Sequence, residues 1–118
     1  ERAYNDKEGI TAKFNKNILK VINTKYGLNF RVNDFEHKAF YNVKKNRIEM
    51  HLSTKKNFSQ VLNKRNIKFS KGETIHTENS HKYTKSKFSK LARNSGFEVV
   101  KILTDKKNFF GVFLLKVK

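Results

Sequence analysis

The chain has 118 residues, with 27 lysines and arginines against 10 aspartates and glutamates and no cysteine, so its formal net charge is +17. This length suffices for one compact domain with a core, while the absence of cysteine excludes disulfides and thiolate metal sites and fits a reducing cytoplasm. No apolar run approaches the ~20 residues of a membrane-spanning helix, and the start does not resemble a signal peptide. We therefore expect a cytoplasmic protein without membrane contact.

The positive charge by itself suggests a polyanionic partner such as nucleic acid. The lysines, however, are spread along the whole sequence as singles and pairs. Nucleic-acid readers usually concentrate their basic residues on one helix or arm. A small basic nucleic-acid-binding domain is therefore retained as an alternative and not as the first interpretation.

The first regular element is predicted to be a helix over residues 11–25, with Thr11 as its N-cap and Gly27 as its end. Apolar residues recur there every four positions, as expected for one helix face: Ile10, Phe14, Ile18, Ile22 and Tyr26. We expect Ile18, Leu19 and Ile22 to pack in the core. Phe14, near the first turn, suits the core or a pocket equally.

The middle of the chain is predicted to form strands. Alternating apolar and polar residues over 37–43 and 47–53 predict an antiparallel hairpin. Two short apolar runs, 58–62 and 67–69, are strand-like and could extend the same sheet. Residues 72–84 then concentrate two carboxylates and several hydroxyls where nothing structural requires them, which indicates a recognition loop.

The last third is predicted to hold a helix from the N-cap Thr84 to Gly96, followed by strands over 97–104 and 109–117. These two strands are apolar on both faces, which requires helices on each side and a neighbouring strand. Too few helices are available in this sequence, and it lacks an initiator Met. We therefore expect a segment of a longer protein, and we expect the isolated chain to self-associate through exposed sheet edges.

Several separated motifs resemble one family in residue type, order and spacing: residues 3–6 with 9–15, residues 47–52 and residues 72–84. That family is the histidine-specific, S-adenosylmethionine-dependent methyltransferases, which make N-alpha-trimethylhistidine on the ergothioneine pathway. The resemblance implies a mixed α/β (α+β) fold. Residues 1–82 would form a substrate-recognition lobe with an antiparallel hairpin sheet and a helix. Residues 83–118 would form the closing helix and antiparallel hairpin of a Rossmann-like class I methyltransferase fold.

The same resemblance implies that five residues bind L-histidine. Tyr4 would hydrogen-bond the alpha-carboxylate, while Phe14 and Met50 would form apolar walls. Glu78 and Ser80 would bind the imidazole. A carboxylate and a hydroxyl two residues apart on an extended segment face the same way, so they can address the two ring nitrogens.

Each of these residues also has a plainer interpretation. Glu78 could be one more solvated acid, and Ser80 could be a turn residue. Phe14 and Met50 suit a core as well as a pocket. Core packing explains Tyr4 poorly, because it lies near the chain start beside polar residues.

S-adenosylmethionine would be the cofactor of the intact enzyme, but the five glycines stand far apart and form no phosphate- or cofactor-cradling loop. We predict no cofactor-binding residue here and no activity for the chain by itself. A related methyltransferase with another amino-acid substrate is a further alternative. No two histidines have the i, i+4 spacing of helical metal ligands, so neither a metal site nor a catalytic residue is predicted: the four are His37, His51, His76 and His81.

Overall fold

The computed structural model describes all 118 residues, which divide into two compact units, Glu1–His81 and Lys82–Lys118. The first unit comprises α1 (Ile10–Tyr26), a 3-10 turn (Val32–Asp34), β1 (Phe35–Asn42), β2 (Arg47–Thr54), β3 (Phe58–Leu62), β4 (Arg65–Phe69) and β5 (Thr74–His81). The second unit comprises α2 (Lys85–Asn94), β6 (Phe97–Thr104) and β7 (Gly111–Val117). The fold is mixed α+β, and every strand pair is antiparallel. Neither helix has the length and apolar character needed to cross a lipid bilayer.

A three-stranded sheet in the order β1-β2-β5 organises the first unit. The predicted hairpin of β1 and β2 is confirmed. The expectation that the next two strands extend this sheet is wrong, because β3 and β4 pair only with each other. Asn63 and Lys64 both have positive φ, 50° and 63°, so they close a tight turn, while β5 takes the free edge of β2.

The segment expected to be a recognition loop is largely a strand. Residues Thr74–His81 form β5 and pair along β2. Polar side chains do not prevent a strand there, because the ladder with β2 satisfies the backbone N–H and C=O groups. The interpretation as a loop is therefore wrong, and the hydroxyls and carboxylate of this segment have fixed directions.

The start of α1 is held by Asp6 and not by Thr11, so the predicted cap is wrong. The Asp6 carboxylate accepts the backbone N–H groups of Ile10 and Thr11 at 2.7 and 3.0 Å. Hydrogen bonds from Thr11 and Ile10 lower the pKa of Asp6 to about 2. At the other end the prediction is confirmed, since Gly27 has φ 63° and closes the helix through a bond to Asn23.

The core of the first unit lies between α1 and the sheet. Leu19, Phe35 and Leu52 are fully buried at its centre. Partly buried apolar residues surround them: Ile22, Phe30, Val32, Phe58 and Ile75. Of the three α1 residues expected in the core, Leu19 and Ile22 are confirmed. The third, Ile18, is 43% exposed, so that expectation is wrong.

The second unit begins as predicted, with the Thr84 hydroxyl accepting the backbone N–H of Lys87 at 3.2 Å. Phe88 of α2 packs on Phe113 of β7, with ring centroids 4.5 Å apart. The predicted antiparallel hairpin of β6 and β7 is confirmed. Its apolar side chains are not buried on both faces, since Leu103 and Leu114 are 51% and 57% exposed.

Candidate functional site

One irregularity in the pairing of β5 with β2 decides which side chains share a face of the sheet. His76 lies opposite His51, and the next paired residue, Glu78, lies opposite Met50. Thr77 is the extra residue of a β-bulge. Because strand residues alternate between faces, a regular strand would put Glu78 beside His76. The bulge turns Glu78 to the opposite face instead.

The two faces are therefore chemically distinct. The helix face, which α1 covers, carries Met50, Leu52, Glu78 and Ser80. The histidine face carries Phe40, Glu49, His51 and His76. His76 and Glu78, although two positions apart in β5, thus lie on different faces of the sheet.

A buried asparagine of α1 holds the bulge in place. Asn15 is 4% exposed, and its Oδ1 accepts the Thr77 hydroxyl at 2.6 Å. The same hydroxyl lies 2.9 Å from the Met50 carbonyl oxygen. The amide nitrogen of Asn15 donates to Nδ1 of His37 at 2.9 Å and to the His51 carbonyl oxygen at 3.2 Å. With all its polar atoms bonded, Asn15 ties the helix to all three strands.

The chain start crosses the same helix face. Nε2 of His37 donates to the Tyr4 carbonyl oxygen at 2.7 Å; because Nδ1 of His37 already accepts from Asn15, the ring is the Nε2–H tautomer. The Tyr4 hydroxyl then lies 2.7 Å from the Ser80 hydroxyl. Four of the five residues predicted to bind substrate, Tyr4, Met50, Glu78 and Ser80, thus converge on one face.

The fifth predicted residue, Phe14, reaches the same region from α1. Phe14 and Glu78 both line a cleft of about 220 Å³ between the helix and β5. Phe14 is 66% exposed, whereas Met50 is 3% exposed. Phe14 therefore presents an exposed apolar surface, whereas the Met50 side chain is buried.

The arrangement is suited to binding a polar ligand. Glu78 offers an exposed carboxylate, which accepts hydrogen bonds, and the Ser80 hydroxyl can donate or accept. Asn15 and Thr77, which direct these groups, were not identified from the sequence. The sequence offered no local signal for them, because the bulge at Thr77 depends on contacts with a remote helix and strand.

The histidine face contains a second polar cluster. Arg47 contacts Glu49 Oε1 at 2.7 Å, and this hydrogen-bonded ion pair is the main reason that the pKa of Glu49 falls to about 2. Nε2 of His51 lies 3.3 Å from Glu49 Oε2. The His51 ring stacks on His76, with centroids 4.4 Å apart. Sequence spacing did not indicate this group, because its members meet across two strands.

Comparisons with known proteins identify the family of this chain. A sequence model of the family described as histidine-specific methyltransferase, SAM-dependent, matches residues 1–117. The chain is 33% identical over 115 residues to a histidine N-alpha-methyltransferase of Mycolicibacterium smegmatis, covering 96% of this chain and 36% of that protein. A histidine N-alpha-methyltransferase of Mycobacterium tuberculosis aligns with the same identity and coverage. The chain spans about a third of the length of these curated relatives, and it belongs to the SAM-dependent, histidine-specific methyltransferase family.

Proposed function

We propose that this chain is a segment of an enzyme that methylates the alpha-amine of L-histidine with S-adenosylmethionine, giving trimethylhistidine for the ergothioneine pathway. The family match and the names of the two mycobacterial relatives support this substrate and this reaction. In this proposal residues 1–82 form the substrate-recognition lobe. Residues 83–118 close the methyltransferase fold, and the cofactor is held by parts of the enzyme beyond this chain.

The observation that carries the proposal is the shared direction of Glu78 and Ser80. They lie two positions apart in β5, after the bulge, and pair with Met50 and Ile48 of the central strand, so both face the same side of the sheet. A carboxylate and a hydroxyl on one face can meet the two nitrogens of an imidazole, one as acceptor and one as donor or acceptor. A charge-assisted contact of this kind contributes about 1.5–3 kcal/mol, enough to favour histidine over an apolar amino acid of similar size.

The other predicted residues complete this binding mode. Tyr4, 2.7 Å from Ser80 through its hydroxyl, would donate to the alpha-carboxylate of the substrate. Phe14 would cover the imidazole from the cleft that it shares with Glu78. Met50, which is buried and pairs with Glu78 across the two strands, would form an apolar wall of the pocket.

The contribution of these residues to the reaction is orientation. Bound S-adenosylmethionine supplies an already activated methyl group, so the protein has to place the neutral alpha-amine in line with it and exclude water. Holding the ring at Glu78 and Ser80 and the carboxylate at Tyr4 would restrict the directions in which the alpha-amine can point. We place this activity in the cytoplasm, with support from the absence of cysteine.

The test uses the longer gene product that contains this segment. L-histidine and S-adenosylmethionine are incubated with it, and the products are measured by mass spectrometry beside Glu78→Ala and Asn79→Ala. Asn79 is the matched control, because it neighbours Glu78 but pairs with Glu49 on the histidine face. We expect stepwise methylated histidine from the wild type and from Asn79→Ala, and a collapse of product with Glu78→Ala.

Other results would change the assignment. A protein that binds the cofactor but leaves histidine unmethylated would have a different amine substrate. Equal activity of Glu78→Ala and Asn79→Ala would make Glu78 a surface acid. The +17 charge needs no nucleic-acid partner in this proposal, since the family match covers almost the whole chain.

A further inference from the structure

The histidine face holds three side chains that commonly ligate metals. One ligand atom from each of Glu49, His51 and His76 lies within 4.8 Å of the other two. We propose that these residues form a binding site for a transition-metal dication of the Zn²⁺ class, bridging β2 and β5. This inference is independent of the proposed methyltransferase function, since none of the three residues lies on the helix face.

Backbone pairing fixes the two histidines next to each other. His51 and His76 are directly opposite across the antiparallel ladder, and their rings are nearly parallel, 11° apart. Phe40 stacks on the other side of His51 at 5.2 Å. Since Zn–N bonds are about 2.0–2.1 Å long, both rings would have to rotate from this stack to bring one nitrogen of each to a common ion.

The Glu49 carboxylate is oriented toward the histidines by its other contacts. Arg47 Nε and Asn42 Nδ2 donate to its Oε1 at 2.8 and 3.0 Å, while Oε2 lies 3.3 Å from Nε2 of His51. Hydrogen bonds that orient a ligating carboxylate in this way are usual around metal sites. Arg47 contacts Oε1 of Glu49, which leaves Oε2 for the ion. Because the positive charge of Arg47 would repel a metal ion nearby, the negative charge of Glu49 is needed to hold one.

His76 keeps a lone pair for the ion. Its Nε2 lies 3.2 Å from the Glu78 carbonyl oxygen, which can only accept, so Nε2 is the donor and Nδ1 is unprotonated in the neutral ring. A carbonyl that orients a ligating imidazole is again a common outer contact. Two imidazoles and one carboxylate favour Zn²⁺, Ni²⁺ or Cu²⁺ over Mg²⁺ and Ca²⁺, which prefer oxygen ligands.

Such an ion would tie the central strand to β5 immediately beside the bulge. His76 precedes Thr77, and Thr77 precedes Glu78, so a metal on the histidine face would fix the strand that carries the polar groups of the helix face. The expected role of the ion is structural. An ion that binds the folded state but not the unfolded state stabilises the folded state by mass action.

The test is isothermal titration calorimetry of the untagged 118-residue chain with ZnCl₂, and with MgCl₂ for comparison. The variants are His76→Phe and His51→Phe, which keep an aromatic ring in the stack and remove the ligand nitrogens. His81→Gln is the matched control, because it removes a β5 histidine outside the cluster. His76 is exposed, so its substitution leaves the core intact, and circular dichroism checks the fold of each variant.

We expect one Zn²⁺ per wild-type chain and no Mg²⁺. Binding should weaken at least ~10-fold in each Phe variant and stay unchanged in His81→Gln, with ring NMR signals of His51 and His76 shifting on addition of Zn²⁺. Absence of Zn²⁺ binding would overturn the proposal. So would equal binding by wild type and a folded His76→Phe, or an equal loss in His81→Gln, which would indicate adventitious surface binding only.

Discussion

The two compact units of the chain bury very different amounts of apolar surface. In Glu1–His81 the buried apolar side chains include large ones on the helix and the sheet: Leu19, Phe35, Ile48, Met50 and Leu52. In Lys82–Lys118 Ala92 is the single buried apolar residue, although β6 and β7 are rich in Val, Leu, Ile and Phe. An apolar sequence therefore does not by itself predict burial: β6 and β7 are apolar but largely exposed.

This difference predicts that the units behave differently when separated, which is the largest effect we expect. Residues 1–81 expressed alone should keep a cooperative fold, because their core is internal. Residues 82–118 alone should be largely unfolded, since one helix and a two-stranded hairpin cannot bury enough surface. Circular dichroism and NMR of the two pieces test this. A cooperatively folded 82–118 piece would refute the comparison.

Core substitutions should separate the units almost as clearly. Leu52→Ala, in the centre of the first core, should lower the free energy of unfolding by about 2–5 kcal/mol. Leu103→Ala, at a half-exposed position of β6, should change it by less than ~0.5 kcal/mol. Urea denaturation of the whole chain measures both, at a protein concentration low enough to keep the chain monomeric. Equal losses would mean that Leu103 is buried in solution.

Self-association is the expected consequence of the exposed hairpin. We propose that the isolated chain associates through β6 and β7, because their unpaired edges and apolar side chains recruit another sheet. Sedimentation should show a concentration-dependent dimer or larger species, reduced by Leu103→Lys together with Leu114→Lys. A clean monomer at high concentration would contradict this, and so would an association unaffected by the two lysines.

Removing the Thr77 hydroxyl should lower the free energy of unfolding by less than Leu52→Ala does, but by more than a substitution on the surface. Thr77→Val keeps the side-chain shape and removes the hydroxyl that reaches Asn15 and the Met50 carbonyl. We expect a loss of about 1–3 kcal/mol for these buried, unsatisfied acceptors. In the longer gene product the KM for histidine should also rise, as Glu78 loses its fixed direction.

The control for Thr77 is Thr74→Val, an exposed threonine in the same strand. It should leave both the stability and the KM close to those of the wild type. If the two valine variants behaved alike, the bulge would not depend on the Asn15 contact.

The smallest expected effect concerns the start of α1. The pKa of Asp6 falls from its ordinary 3.8 to about 2, so its contribution to stability is complete above pH 3.8 and is lost as the pH falls through about 2. Asp6→Asn should be less stable at neutral pH and should lose less further stability between those pH values. Thermal unfolding from pH 5 to pH 2 measures the slopes; parallel curves would contradict this role.

The sequence was sufficient for the elements with local signals. The periodic helix, the alternating strands of the first hairpin and the Thr84 cap all depend on near neighbours along the chain. Strand order depends on remote contacts, so the separate pairing of β3 with β4 was not predicted. The capping by Asp6 was missed because that residue lies three positions before the N-cap position, Gly9.

The candidate site divides in the same way. Its residues were identified from motif resemblance, and the common face of Glu78 and Ser80 followed from their spacing of two on an extended segment. The face on which Glu78 lies depends on the bulge at Thr77, and the bulge depends on Asn15, which is 62 residues away in sequence. Likewise, His51 and His76 become neighbours only when β5 pairs with β2.

The measurement that tests the central claim most directly is a crystal structure of the longer gene product with L-histidine bound. Our account predicts that the imidazole lies on the helix face, with its two ring nitrogens within hydrogen-bond distance of the Glu78 carboxylate and the Ser80 hydroxyl. A histidine bound elsewhere, or one whose ring avoids Glu78 while its amine faces the cofactor, would contradict the account.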